Sequence, residues 1–209
     1  KVYDSLIESI EEYLPSLHKY YGLRKKALKK DKQYMWDVSV NLEKEFDQKY
    51  PYEKARELIT EGLKPLGEDY IEVLNRGFDD RWVDVYPREG KAGGAYSWGS
   101  FDTDPYILMN YTDTLDSMFT LAHEFGHSMH SYYSKSDNDY LYAQYKIFVA
   151  EVASTFNELT LLDYLLKNVK NKNEKIYILN YYINMFIGTV FRQTMFAEFE
   201  KNTHLEVEE

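Results

Sequence analysis

The sequence predicts a mainly helical fold that carries one small antiparallel β-sheet, and three features predict it. Apolar residues recur every three or four positions along most of the chain, which is a helical period. The texture changes only between Arg81 and Tyr111, where β-branched and aromatic residues are bounded by Gly, Pro and Asp. Cysteine is absent, so neither disulfides nor thiolates can hold the fold, and any metal must be bound by His, Asp and Glu.

From Val2 to Leu28 the residues Leu6, Ile7, Ile10, Leu14, Leu17, Tyr20 and Tyr21 mark a helical stripe. Pro15 is expected to divide it into two pieces, because proline lacks the N–H that a helix interior needs. The lysine-rich LRKKALKKDK, residues 23–32, reads as a solvated helix face and its exit. Pro51 sits where a first helical residue belongs, and Ala55, Leu58, Ile59 and Leu63 give that helix its apolar side. Gly62 and Gly67 punctuate it, and a short helix then runs to about Gly77.

Trp82, Val83, Val85 and Tyr86, then the glycine-rich AGGAYSWGS, then YILMNY read as the strands of the small antiparallel sheet. Beyond Asp113, a candidate N-cap, three helices follow: one to about Tyr133, one from about Tyr145 to Lys167, one from about Asn173 to Lys201. No internal repeat or low-complexity tract appears, so residues 1–209 read as a single domain. Its parts are a helical lead-in (1–80), the sheet (81–111) and the helices that follow (112–209).

The bulk composition excludes several classes of function. A net charge of −10 and a pI near 5.1 argue against nucleic acid as a partner, since that binding depends on Lys and Arg neutralising phosphates. Apolar runs such as Ile147–Ala150 fall far short of the roughly 18 residues a membrane span requires. Nothing near Lys1 resembles an export signal, so no membrane partner is expected and the cytoplasm is the expected compartment.

The chemistry concentrates in LAHEFGHSMH, residues 121–130, where two of only five histidines lie four apart with a glutamate after the first. On a helix, residues four apart share a face one turn apart, so His123 and His127 can aim two imidazole nitrogens at one point, with Glu124 beside them. The stripe Leu115, Met118, Phe119, Ala122, Phe125 and Met129 supports that helix. A catalytic zinc site takes three protein ligands and a water, so a third ligand is needed. The position six residues beyond His127 is Tyr133, which excludes the metzincin pattern, and His130 reads as a helix-end histidine favoured by the dipole. In VAEVASTFNE, Glu151 lies among Ile147, Val149 and Val152, where a buried carboxylate needs a partner, and it is the candidate third ligand. Glu158, two turns further on, is either a hydrogen-bond acceptor for a ligand histidine or an ordinary exposed glutamate.

GAYSWGSFDTDPYILMNY, TLAHEFGHSMHSYYS and VAEVASTFNE, in that order and spacing, resemble the oligoendopeptidase F members of the thimet oligopeptidase (M3) family of zinc metallopeptidases. The flanking KPLGEDY and VFRQTMFAEFE resemble them too, so the likeness covers most of the chain. The resemblance implies a zincin-type (gluzincin) catalytic core with one Zn2+ per chain. It implies His123, His127 and Glu151 as ligands, Glu124 as general base, and oligopeptides as substrates. It also implies that the substrate backbone adds as a strand to the edge of the small sheet, at Tyr106, Ile107, Leu108, Met109 and Asn110, whose apolar run equally fits an ordinary core strand. Gly93, Gly94 and Gly99, with Ala95, either let the peptide pass closely or shape a hairpin. Such enzymes have a helical roof before this region and a helical segment with cleft-lining His and Tyr after it. The chain is therefore expected to be the central catalytic portion of a longer endopeptidase. Two rivals stay open: a zinc carboxypeptidase with a similar HEFGH helix, and a catalytically silent helical binding module.

Overall fold

The computed structural model describes residues 2–40, 42 and 48–207. In chain order the elements are α1 (Val2–Ala27), a 3₁₀ turn (Met35–Ser39), α2 (Tyr52–Gly62), a 3₁₀ turn (Lys64–Leu66) and α3 (Glu68–Asp79). Then come β1 (Val83–Asp84), β2 (Tyr96–Trp98), β3 (Tyr106–Leu108), α4 (Leu115–Asp137), α5 (Ile147–Asn168) and α6 (Lys172–Phe186). A π-helical stretch (Ile187–Phe191) leads into α7 (Arg192–Val207). None of these helices is long and apolar enough to cross a membrane. The chain divides between Asp47 and Gln48, and again between Val169 and Lys170, into two compact units.

In the unit built from both ends, α1 is one continuous helix with Pro15 inside it, and the expected division into two pieces does not occur. Proline deletes a single bond of the ladder, and Glu11, whose carbonyl loses that partner, is exposed, so water can replace it. The lysine-rich segment is not solvated throughout. Arg24 is buried and donates to the carbonyls of Val38 (2.9 Å) and Val40 (2.6 Å), which ties the exit of α1 to the turn that follows. Tyr20 donates to the Asn180 carboxamide oxygen (2.6 Å), joining α1 to α6, and Lys201 pairs with Asp4 (2.6 Å), joining α1 to α7. The single helix expected over 173–201 is divided by the π-helical stretch.

The unit spanning 48–169 carries the principal core. The whole predicted stripe of α4, Leu115, Met118, Phe119, Ala122, Phe125 and Met129, is buried, as are Ala55 and Ile59 of α2, Leu74 of α3 and Leu161 of α5. The cap of α4 is Thr114, whose hydroxyl accepts from the Ser117 N–H, and not Asp113. Asp113 instead takes a left-handed conformation (φ 57°) and offers its carbonyl to the Tyr50 N–H.

The sheet is mixed rather than antiparallel, in the order β1–β3–β2. β2 and β3 pair antiparallel with Ser97 opposite Ile107, while β1 and β3 run parallel with Val83 opposite Ile107. A parallel pair needs a crossover of a dozen residues or more. Residues 85–105 supply it, passing outward to β2 and turning back so that β3 enters the middle slot.

Phe125 is fully buried, and its ring packs on Phe78 with centroids 4.4 Å apart. Phe125→Ala is expected to lower the unfolding free energy by about 3–5 kcal/mol through lost burial and the cavity it leaves. Denaturant melts of the two proteins, compared at equal m-value, measure it.

Candidate active site

The site begins with how closely two helices approach. A Cβ added at Gly126 would lie 2.5 Å from the Ser154 Cα and 2.8 Å from the Ala153 carbonyl oxygen, so any side chain there would strike the α5 backbone. Glycine thus lets α4 and α5 come nearly to backbone contact at the turn of HEFGH that lies between its histidines.

That contact brings Glu151 of α5 to the histidine pair of α4. The Nε2 atoms of His123 and His127 stand 3.1 Å apart, and Glu151 Oε2 lies 3.3 Å from the first and 3.7 Å from the second. Bonds of about 2.0–2.1 Å from zinc at tetrahedral angles put ligand atoms about 3.3 Å apart, so these three fit one cation of that kind. Among the described residues this is the one cluster of three such donors. The Glu151 carboxylate is half exposed rather than buried, and Ser154 Oγ donates to its Oε2 at 2.9 Å.

Glu158 is buried and hydrogen-bonded to His123 Nδ1. A histidine held this way presents Nε2 with its lone pair to the metal point. Burial works against the charged form of His123, but Glu158, Glu124 and Glu151 outweigh it and raise its pKa. Burial and the neighbouring His123 ring lower the pKa of His127. The carboxylates therefore draw positive charge to the point where the two rings converge.

Glu124 is buried, and its Oε2 has no hydrogen-bond partner in the protein. Burial, together with Glu151 and Glu158, raises its pKa, while His123 and the backbone N–H of Ser97 oppose the rise. Ser97 Oγ is 2.8 Å from Ser128 Oγ, and Ser128 is fully buried one turn beyond Glu124, so β2 is pinned to the helix that carries Glu124.

The residues expected to form an open strand edge do not. Tyr106, Ile107 and Leu108 form β3, which pairs on both sides. Its neighbour Met109 is buried and donates from its backbone to Asp84 O at 2.9 Å. The Asn110 carboxamide donates to Ala92 O and Gly94 O, both at 2.9 Å, and closes the glycine-rich loop from within. The edge belongs to β2, which Gly94 and Ala95 lead into. Because the Ile107 N–H bonds to Trp82 O, on the side away from β2, the Ser97–Ile107 pair is a non-hydrogen-bonded one. Ser97 therefore directs its own N–H and C=O away from β3, the N–H toward Glu124.

His130 is not a helix-end residue, since α4 continues to Asp137. It stacks on Tyr145 with ring centroids 3.7 Å apart.

The model of Peptidase family M3 matches residues 1–209. The chain belongs to peptidase family M3. Its relatives include the oligopeptidase PepF of Bacillus subtilis, 50% identical over all of this chain and 31% of that protein, and the group B oligopeptidase PepB of Streptococcus agalactiae, 45% identical over 98% of this chain and 34% of that protein. Among solved structures, one from Chlamydophila abortus is similar over 99% of the chain with a TM-score of 0.87 and 41% identity. The oligoendopeptidase-F of Enterococcus faecium matches over 99% with a TM-score of 0.65 and 35% identity. This M3 chain thus spans about a third of the length of the curated relatives it matches. M3 peptidases are metallopeptidases, and the His123, His127 and Glu151 cluster is where this chain can hold a metal.

Sequence reasoning missed Gly126, Ser154, Ser97, Ser128 and Asn157 as parts of this M3 site. The signal for Asn157 and Ser154 was a polar residue in the middle of an apolar helix. Gly126 carried a signal too, a glycine within an otherwise strong helix, which costs stability unless something packs against it. Gly126→Ala is expected to push α5 outward and weaken metal binding by an order of magnitude or more. Gly93→Ala, where an added Cβ meets nothing within 4 Å, is expected to leave binding unchanged. Chelator competition on both variants measures the contrast.

Proposed function

We propose that this chain carries the zinc site and catalytic glutamate of a cytoplasmic endopeptidase that hydrolyses internal bonds of short oligopeptides, with one Zn2+ held by His123, His127 and Glu151. It would be the central catalytic portion of a longer enzyme, 1–209 forming one functional part. The observation that carries this reading is the convergence of three donor atoms at tetrahedral-ligand spacing beside a buried carboxylate with a free oxygen. The names of the relatives, oligopeptidases and oligoendopeptidases, support the substrate class.

When bound, zinc supplies Lewis-acid polarisation of a carbonyl and lowers the pKa of water to about 7. Glu124 then acts as general base, its carboxylate taking the proton of the attacking water and passing it to the leaving amine. Its raised pKa suits the second task, since a more basic carboxylate holds the proton between the two steps. Glu158 keeps the His123 ring turned toward the metal point.

The open edge of β2 suits an extended peptide. Ser97 directs its C=O outward from that edge, its N–H being engaged by Glu124, and main-chain bonding along such an edge holds a peptide with little dependence on its side chains. The exposed rings of Tyr96 and Trp98 lie on alternate positions of that strand and would flank the side chains of a peptide added there.

Glu124→Gln is expected to retain zinc while losing turnover, since Glu124 is not a ligand, and Glu151→Ala is expected to lose zinc. Metal content by elemental analysis and the cleavage products of one defined peptide by mass spectrometry test both. Zinc lost from Glu124→Gln but kept by Glu151→Ala would reverse the two roles. Products released only from the carboxyl end would make the enzyme a carboxypeptidase.

A further inference from the structure

Asn157 is one of the most deeply buried polar residues of α5, with 1% of its surface exposed. Its Nδ2 donates to the carbonyl of Ala122 in α4 at 3.1 Å, and its Oδ1 accepts from the Tyr70 hydroxyl of α3 at 2.8 Å. The orientation of this carboxamide is set by chemistry, because a backbone carbonyl only accepts. The nitrogen must face Ala122, so the oxygen faces Tyr70 and the hydroxyl donates. Burial pushes the Tyr70 pKa up and keeps it a neutral donor.

Both ends of the bond to Ala122 lie one residue from the candidate metal site or the glutamate that supports it. Ala122 precedes His123, and Asn157 precedes Glu158. The close approach at Gly126 gives nearness but little register, because a bare glycine surface presents no side chain for α5 to interlock with. A slide of one residue along a helix is only about 1.5 Å, yet it would carry Glu151 and Glu158 out of reach of the two nitrogens of His123. A directional bond to a fixed carbonyl is what resists such a slide.

We infer that Asn157 is a positioning residue for the metal site: its carboxamide locks α5 in register on α4, so that Glu151 and Glu158 meet the His123 ring from opposite sides. The inference rests on the zinc reading above. Asparagine is required because aspartate would set an acceptor against the Ala122 carbonyl, and an apolar residue would leave α5 free to shift.

The test is zinc affinity of the full polypeptide by chelator competition, with the visible spectrum of its Co2+ derivative as a readout of ligand geometry. Asn157→Asp is expected to bind zinc about 10–100-fold more weakly and to alter the Co2+ bands, the usual scale for a residue that supports a ligand. Asn157→Ala is expected to move both in the same direction, and it carries the test where the aspartate variant does not fold. Tyr70→Phe removes a hydroxyl but keeps the bond to Ala122, and is expected to lower the melting temperature with zinc affinity near that of the parent. Asn157 variants that melt earlier yet keep the parent's zinc affinity and Co2+ spectrum would overturn the inference and reduce Asn157 to a packing residue. His123→Ala is measured alongside. Equal metal binding by it and the parent would remove the zinc reading itself, and the inference with it.

Discussion

The near-backbone contact of α4 and α5 at Gly126 is the constraint on which the rest of the site depends. Two histidines on one helix define a line of donors but not a cage, because both come from the same face. The third donor must arrive from a second helix, and a carboxylate on a short glutamate side chain reaches only if that helix lies unusually near. With Gly126 facing Ser154 and Ala153, the helices approach closely enough for Glu151 to stand 3.3 Å from one imidazole nitrogen and 3.7 Å from the other. The same approach brings Glu158 to the far nitrogen of His123. One ring is thus held at both ends by one neighbouring helix.

Polar groups buried around this crossing have assigned partners, and that shapes the electrostatics. Glu158 is paired with His123, Ser154 with Glu151, and Asn157 with both Ala122 and Tyr70. Glu124 Oε2 and His130 Nδ1, both on α4, are instead buried without a hydrogen-bond partner. Leaving an acceptor unsatisfied in a low-dielectric site costs stability, and proteins tolerate it where the group has a reaction to perform. Burial first, and then Glu151 and Glu158, raise the pKa of Glu124, while Glu158, Glu124 and Glu151 raise that of His123 against its own burial.

The sheet contributes less to stability than to placement. Its strands are two or three residues long, and its inner face rests on α4 through Ile107 and the Ser97–Ser128 contact. Putting β3 in the centre leaves β2 as an open edge, with the Ser97 N–H directed at Glu124 and its carbonyl facing outward. An edge in this position is a hazard for aggregation in most proteins, and here its exposure is consistent with a role in gripping an extended chain.

The sequence by itself determined the helical class, the apolar stripe of α4, the family resemblance and the identity of the metal-binding candidates. These are local: a period of 3.6 and a spacing of four read directly onto one helix face, and His123, Glu124 and His127 need nothing distant to be recognised. Glu151 and Glu158 were legible as misplaced charges in an apolar helix, though their exposure was not, and Glu151 proved half open to solvent. What only the tertiary structure decided was non-local. Strand order turned on a crossover, so YILMNY looked like an edge while it lies in the middle and GAYSW holds the edge. Pro15 did not break its helix, because one lost bond at an exposed carbonyl is cheaper than unpacking the turn beyond it. The roles of Gly126, Ser128 and Asn157 exist only across a packed interface. Periodicity records which side of a helix is buried and says nothing of which backbone it will touch.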